Sequence, residues 1–110
     1  MRTLGLSVLL LTLAAPAFAQ NPAPLPLMER KVVTPISPMF PESERSKGTR
    51  HAEVQLELTI GMDGIVKDLR VVNSGGAAFD DAALIVGRLT VFAPYKQMTL
   101  QRFKVTFDLY

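Results

Sequence analysis

Residues 53–73 read EVQLELTIGMDGIVKDLRVVN, and this stretch decides the fold. In residues 53–60 apolar and polar side chains alternate strictly, which predicts a β-strand with one buried face. An Asp-Gly pair within residues 61–64 predicts a tight hairpin turn. The second strand of the hairpin should then occupy residues 65–73. Its apolar residues change phase midway, so we expect a β-bulge near residues 67–68.

Residues 77–89 have the repeat of an amphipathic helix, and Pro94 prevents its continuation. Its apolar residues recur at spacings of three and four, so we expect the following to pack on the sheet: Phe79, Ala82, Ala83, Val86 and Leu89. Asp80 and Asp81 lie in the first turns, where the helix dipole favours carboxylates, and we interpret them as structural. The glycines before the helix lack the lysine of a phosphate-binding loop and indicate a turn.

Residues 102–110 form a third alternating segment, after a loop over residues 95–101. A short helix is expected over residues 41–47, which begin with proline, carry acidic before basic residues and precede Gly48. The predicted fold class is therefore α+β: a three-stranded antiparallel sheet, one main helix on one face and a short N-terminal helix. The outer edge of the last strand should be unpaired. Such an edge either docks a partner or only seals the core.

Residues 1–19 have the features of a secretory signal peptide. A positive charge is followed by an apolar run over residues 4–13, and Ala17 and Ala19 are the small residues that signal peptidase reads. We expect cleavage after Ala19 and export from the cytosol. Retention of this segment as a membrane anchor is the alternative. A full span needs about 20 apolar residues, however, and this run is shorter.

Residues 20–37 form a proline-rich arm ahead of a domain that we assign to residues 38–110. Proline-rich segments favour extended polyproline conformation and act as semi-rigid spacers. The arm also contains leucine, methionine and valine, so part of it is expected to pack on the domain.

Composition excludes several classes of function. Removal of residues 1–19 takes away one arginine and leaves eleven basic and ten acidic residues, which is not the charge of a nucleic-acid-binding protein. The absence of cysteine excludes thiol chemistry and thiolate zinc sites. His51 is the single histidine and has no partner at a catalytic or metal-binding spacing. We therefore expect no catalytic residues, no metal, no cofactor and no small-molecule substrate.

Six short motifs occur in a fixed order along the domain. They are Pro38-Met39-Phe40-Pro41, Lys47-Gly48, Val54-x-Leu56-x-Leu58-x-Ile60-x-x-Asp63-Gly64-x-Val66, Leu69-x-Val71-Val72-x-Ser74-Gly75, Phe79-Asp80-x-Ala82-Ala83-Leu84 and Phe92-x-Pro94. In this order and spacing they resemble the C-terminal domain of TonB-like energy transducers over residues 38–110. Two positions differ from the family pattern: Thr90 stands where tryptophan is usual, and Gly87 where a larger apolar residue is preferred. Both changes should thin the core-facing side of the helix. Leu89, Ile85 or Tyr95 could fill the space.

The resemblance implies a non-enzymatic binding domain. Such domains recognise an extended segment of outer-membrane receptors, the Ton box, which adds as a strand beside the C-terminal strand in the periplasm. The matching partner-binding residues are Phe40, Pro41, Arg102, Phe103, Lys104, Val105, Thr106, Phe107, Asp108, Leu109 and Tyr110.

Two alternatives remain open. The chain could be a membrane-tethered accessory transducer, if the N-terminal segment is retained. It could also be an exported structural domain that has no receptor partner and that dimerises through the same edge. True transducers have an uncleaved membrane helix and a long spacer. The cleavable-looking signal and short arm therefore favour an exported binding module.

Overall fold

A three-stranded antiparallel sheet with the strand order β3-β2-β5 organises the chain. The computed structural model describes residues 24–109, so the signal-peptide prediction at Ala17 and Ala19, and Tyr110, lie outside the described residues. The elements are β1 (Val32–Thr34), α1 (Glu42–Ser46), β2 (His51–Ile60), β3 (Val66–Asn73), α2 (Ala77–Leu89), β4 (Val91–Phe92) and β5 (Thr99–Asp108). The predicted α+β class, the three strands and both helices are confirmed.

The hydrophobic core lies between one face of this sheet and α2. Strict alternation places every second residue of β2 in the interior, and all four large apolar residues there are fully buried: Val54, Leu56, Leu58 and Ile60. Phe79 of α2 packs on Phe107 of β5 with the ring centroids 5.1 Å apart. The opposite face of the sheet carries charged side chains.

The predicted bulge occurs in the β2–β3 ladder. Thr59 pairs with Asp68 and Ile60 pairs with Val66, so Lys67 is the additional residue. A second irregularity at Val72 was not predicted. Since each bulge shifts the side-chain phase by one residue, Val66, Leu69 and Val71 all pack against the core.

Helix α2 has the predicted bounds, but the set of its residues that face the sheet differs from the prediction. Phe79, Ala83, Val86 and Gly87 are buried, whereas Leu89 is 54% exposed. A Cβ atom on Gly87 would lie 2.8 Å from Leu56 Cδ1, so β2 already fills this position. The expectation that this glycine leaves space for another side chain was therefore wrong. Glycine allows the helix to approach the sheet closely.

The last strand begins three residues earlier than predicted. Thr99 and Gln101 are polar and suggested a loop, yet both are buried within β5. The side chain of each accepts a hydrogen bond from Arg30 of the proline-rich arm. These hydrogen bonds between residues distant in sequence satisfy the buried polar atoms. The periodicity of the local sequence could not predict them.

A second, two-stranded sheet was also absent from the prediction. Strand β1 of the arm pairs antiparallel with β4, with Val32 opposite Phe92. The Phe92 amide also donates to Gly64 O of the hairpin turn, over 2.9 Å. These contacts join the arm, the turn and the chain after α2 at one end of the domain.

Candidate functional site

The outer edge of β5 is the principal candidate site. Strand β5 pairs with β2 over ten consecutive residues, from Thr99 opposite Ile60 to Asp108 opposite His51. Both backbone polar groups of Leu100 bind the arm instead: its amide donates to Pro26 O and its carbonyl accepts from the Met28 amide, each over 2.9 Å. The backbone N–H and C=O groups of Leu100 therefore point away from β2. Along a strand, the backbone groups of successive residues point alternately to one neighbouring strand and to the other.

The alternation fixes which backbone groups of β5 are open. The even-numbered residues after Leu100 direct their N–H and C=O groups outwards: Arg102, Lys104, Thr106 and Asp108. Within residues 24–109 no further strand pairs with this stretch. At about 3.4 Å per residue, the open edge extends for roughly 20 Å.

The other predicted partner-binding residues are placed differently. Phe103, Val105 and Phe107 direct their backbone groups towards β2, and the side chains of Val105 and Phe107 are buried. The Leu109 amide donates to Arg50 O over 2.8 Å. These residues attach β5 to the rest of the domain, and their backbone groups are not available to an added strand.

Phe40 lies beside the far end of β5, and Pro41 follows it at the start of α1. The Phe40 ring meets the Phe79 ring edge-on, with the centroids 5.2 Å apart, and Pro41 is the N-cap residue of α1. Phe40 is half-buried and packs on the core. The structure therefore brings it near the Asp108 end of the edge, where it is held by an aromatic contact.

Two small cavities lie along the open edge, on the same side as α2. The first has a volume of about 200 Å³ and is lined by Ile36, Pro38, Val86 and residues 103–106. The second has a volume of about 210 Å³ and is lined by Pro38, Phe40 and residues 106–108. Pro38, the first residue of the domain, contributes to both, and Ile36 of the arm contributes to the first. These two residues therefore form an apolar wall beside the edge without occupying it.

The arm itself is fastened by a buried arginine that sequence reasoning missed. The side chain of Arg30 is 5% exposed, and its planar group lies 5.5 Å from the centre of the Tyr95 ring. All five of its N–H donors are used. The acceptors are Thr99 Oγ1 (3.0 Å), Gly61 O (2.7 Å), Ala93 O (3.2 Å), Ile60 O (3.2 Å) and Gln97 O (2.8 Å). Among residues 24–109 no carboxylate pairs with Arg30, and the buried cation is tolerated because oriented carbonyl groups surround it.

Charged side chains on the open face of the sheet are paired across strands. Glu57 accepts from Arg70 of β3 over 3.0 Å and from Arg102 over 3.4 Å, and the hydrogen bond from Arg70 is the main cause of its lowered pKa. Lys104 lies 3.9 Å from Glu53. Most charges of the open edge are thus neutralised within the sheet.

His51 gains a partner that its sequence position did not indicate. Its Nδ1 lies 2.5 Å from Asp108 Oδ1, and its Nε2 lies 3.7 Å from Glu53 Oε2. The hydrogen bond to Asp108 is the main cause of the raised pKa of His51. Within residues 24–109 no group of three or more acidic or histidine side chains is arranged to hold a metal ion.

Comparison with known proteins identifies the family of this chain. A family model described as "Gram-negative bacterial TonB protein C-terminal" matches residues 36–109. No curated protein matches the chain. Neither helix of the described part is long and apolar enough to cross a membrane. The matched region includes β5 and both cavities, whereas Arg30 and its arm pairing precede it.

We predict that Arg30→Ala releases the arm from β5. The substitution leaves several carbonyl groups without a donor, so the free energy of unfolding should fall by about 2–4 kcal/mol. The Leu100 amide should also exchange faster with solvent, because its partner on the arm is no longer held. Denaturant unfolding and hydrogen exchange measure the two effects. Lys31→Ala, at an exposed neighbouring position, should change stability by less than about 0.5 kcal/mol. Unchanged protection of Leu100 in Arg30→Ala would contradict this role.

We predict that the pKa of His51 depends mainly on Asp108. Asp108→Asn should lower this pKa towards the ordinary 6.5, and Glu53→Gln should lower it less, because Asp108 is the larger cause of the shift. Since the folded-state pKa is raised, the stabilisation is complete below the unfolded-state value and is lost as pH rises through the folded-state value. An NMR titration of the imidazole ring tests this. Equal pKa values in the wild type and Asp108→Asn would refute it.

Proposed function

Because the chain belongs to the Gram-negative bacterial TonB protein C-terminal family, we propose that it docks an extended receptor segment in the periplasm. The family is non-enzymatic and is linked to TonB-dependent transport. In this proposal the docked segment is a Ton box of an outer-membrane receptor, and it adds as a fourth strand beside β5.

The open edge of β5 is the observation that supports this proposal most directly. Four residues each present one donor and one acceptor outwards, so an added strand can form up to eight hydrogen bonds, on Arg102, Lys104, Thr106 and Asp108. Each such bond contributes only about 0.5–1.5 kcal/mol net. Ordering of the incoming segment offsets much of that gain, so binding should be weak and reversible.

The arm limits where the segment can pair. Leu100 already uses both of its backbone groups on Pro26 and Met28, so the added strand begins at Arg102. Of the partner-binding residues expected from the sequence, only the even-numbered ones from Arg102 to Asp108 offer open backbone groups, and the Leu109 amide donates to Arg50 O instead. Docking at this edge therefore leaves the arm and the core in place.

The compartment is a further part of the proposal. An apolar N-terminal run with small residues at Ala17 and Ala19 supports export followed by cleavage. In this proposal the cleaved chain acts as a binding module. A retained N-terminal segment would make it a tethered accessory transducer instead.

We predict that the native protein begins at Gln20. Mass measurement of the protein purified from its own cells should give the mass of residues 20–110. A chain that begins at Met1 in the membrane fraction would replace the exported module with the tethered alternative.

We predict that Thr106→Pro weakens docking at least tenfold and leaves the domain folded. The amide of Thr106 points away from β2, so proline removes a docking donor and takes no bond from the core sheet. Thr106→Ala keeps the amide and should bind within about twofold of the wild type, since only an exposed side chain is lost. Titration with an extended receptor peptide, followed by backbone amide NMR signals, measures both variants.

Two results would refute docking at this edge. One is the absence of amide perturbation in residues 102–108 at millimolar peptide. The other is full binding by a folded Thr106→Pro variant. Sedimentation of the peptide-free protein tests the alternative of a self-associating exported domain, because strand pairing between two copies would appear as a concentration-dependent dimer.

A further inference from the structure

A further cavity beside β5 lies where the proline-rich arm leaves this strand. It has a volume of about 510 Å³ and is lined by residues 29–32 of the arm and residues 101–104 of β5, so we name it the arm cleft. The arm and β5 meet at one end of the cleft, because Leu27 and Leu100 form a parallel bridge. The lining of the cleft is mainly polar.

The β5 wall of the arm cleft is the first part of the open edge. Arg102 and Lys104 line this wall and direct their N–H and C=O groups away from β2. The cleft is therefore continuous with the rest of the edge, at Thr106 and Asp108, where the docked segment is proposed to pair.

The opposite wall is formed by the arm, whose strand β1 turns alternate residues to β4. The Ala93 amide donates to Lys31 O over 2.8 Å, and the next residue of the arm, Val32, lies opposite Phe92. Because the residues of a strand alternate, the N–H and C=O groups of Val32 point away from β4. Within residues 24–109, no second strand pairs with β1 on that side.

The backbone groups of Val32 point towards β5. Earlier in the arm and in the same phase, the Met28 amide donates to Leu100 O and the Arg30 amide donates to Gln101 Oε1, each over 2.9 Å. Val32 is the next residue in this alternation, and no rung of a ladder with β5 follows. Backbone groups of β1 and β5 therefore face each other across the arm cleft.

The size of the arm cleft fits a short piece of extended chain. Adjacent strands lie about 4.8 Å apart, packed sheets lie about 10 Å apart and each strand residue adds about 3.4 Å, so one strand residue fills roughly 160 Å³. A cavity of about 510 Å³ therefore has room for about three residues of a strand. An extended backbone is also the ligand whose hydrogen-bonding groups match both walls.

We propose that the arm cleft binds one end of the docked segment as a strand that pairs with β5 and with β1 at the same time. The inference rests on the proposed docking at β5 and adds β1 as a second binding strand. About three residues of the segment would lie between Val32 on one side and Arg102 and Lys104 on the other. The rest of the segment would pair with β5 alone.

The added strand would join the two sheets of the domain into one, in the order β3-β2-β5-segment-β1-β4. The wall formed by the arm is fixed before the segment arrives, because Arg30 is buried and bonded and because Lys31 is paired with Ala93. A preformed wall adds hydrogen bonds at little ordering cost to the domain. The arm would therefore strengthen binding at one end of the segment.

A scan of N-methylated peptides tests the two-sided pairing. The probe is an eight-residue peptide of alternating valine and serine with blocked ends, methylated at one backbone nitrogen at a time. Methylation of the amides that face β5 should weaken binding to the mature chain in any strand addition. Of the intervening amides, those in the arm cleft should lose about tenfold in affinity, because each loses a hydrogen bond to β1. Those beyond the cleft face solvent and should tolerate the methyl group.

The outcomes of the scan separate this inference from the function on which it rests. If all intervening amides tolerate methylation while those facing β5 do not, the two-sided pairing is wrong and docking at β5 stands. If the unmethylated peptide perturbs no amide of residues 102–108 at millimolar concentration, the docking site and the second strand both fail.

Hydrogen exchange of the Val32 amide tests the arm side directly. This amide should exchange at least tenfold more slowly when the unmethylated peptide is saturating. The Ala93 amide is the internal control, because it donates to Lys31 O with and without peptide and should keep its protection. Unchanged exchange of Val32 at saturation would overturn the proposal. Strong protection of Val32 without peptide would also overturn it, since β1 would then already be paired with β5 or with a second copy.

Discussion

The pairing of β5 with β2 is the constraint from which the candidate site follows. Ten consecutive pairs hold β5, so alternate residues must turn their backbone groups either to β2 or away from it. The same alternation buries Val105 and Phe107 and exposes Lys104 and Thr106. A strand bound this firmly on one side presents a rigid edge on the other. In the proposed docking, the partner segment would bear nearly all of the ordering cost of strand addition.

Local periodicity predicted most of the architecture. The alternation of β2, the turn at Asp63 and Gly64, and the bounds of α2 depend on residues close in sequence, and the structure confirms all three. The predicted packing of Leu89 on the sheet was wrong. The bulge at Lys67 was predictable for the same reason, since a phase change in an otherwise apolar strand requires an extra residue. The order of the strands and helices along the chain also predicted that the last strand has an unpaired outer edge.

The missed features all depend on contacts between distant parts of the chain. Arg30 bonds to groups from 30 to 71 positions away, and within a proline-rich arm it is indistinguishable from a solvated charge. Strands β1 and β4 have three and two residues, too few for a period to show. Gly87 suggested a missing side chain, whereas the branched side chain of Leu56 fills that space. The cavities beside β5 were unpredictable because Ile36, Pro38 and Phe40, which are distant from β5 in sequence, form part of their walls.

The two faces of the edge differ in what they can contribute to selectivity. On the charged face, Arg102 already pairs with Glu57, and Asp108 with His51, so an incoming strand meets charges that are largely neutralised. Exposed pairs of this kind add little energy and protect an edge from indiscriminate pairing. Backbone hydrogen bonds, in turn, are nearly independent of side-chain identity. In the proposed docking, discrimination among extended segments would therefore depend on the α2 side of the edge.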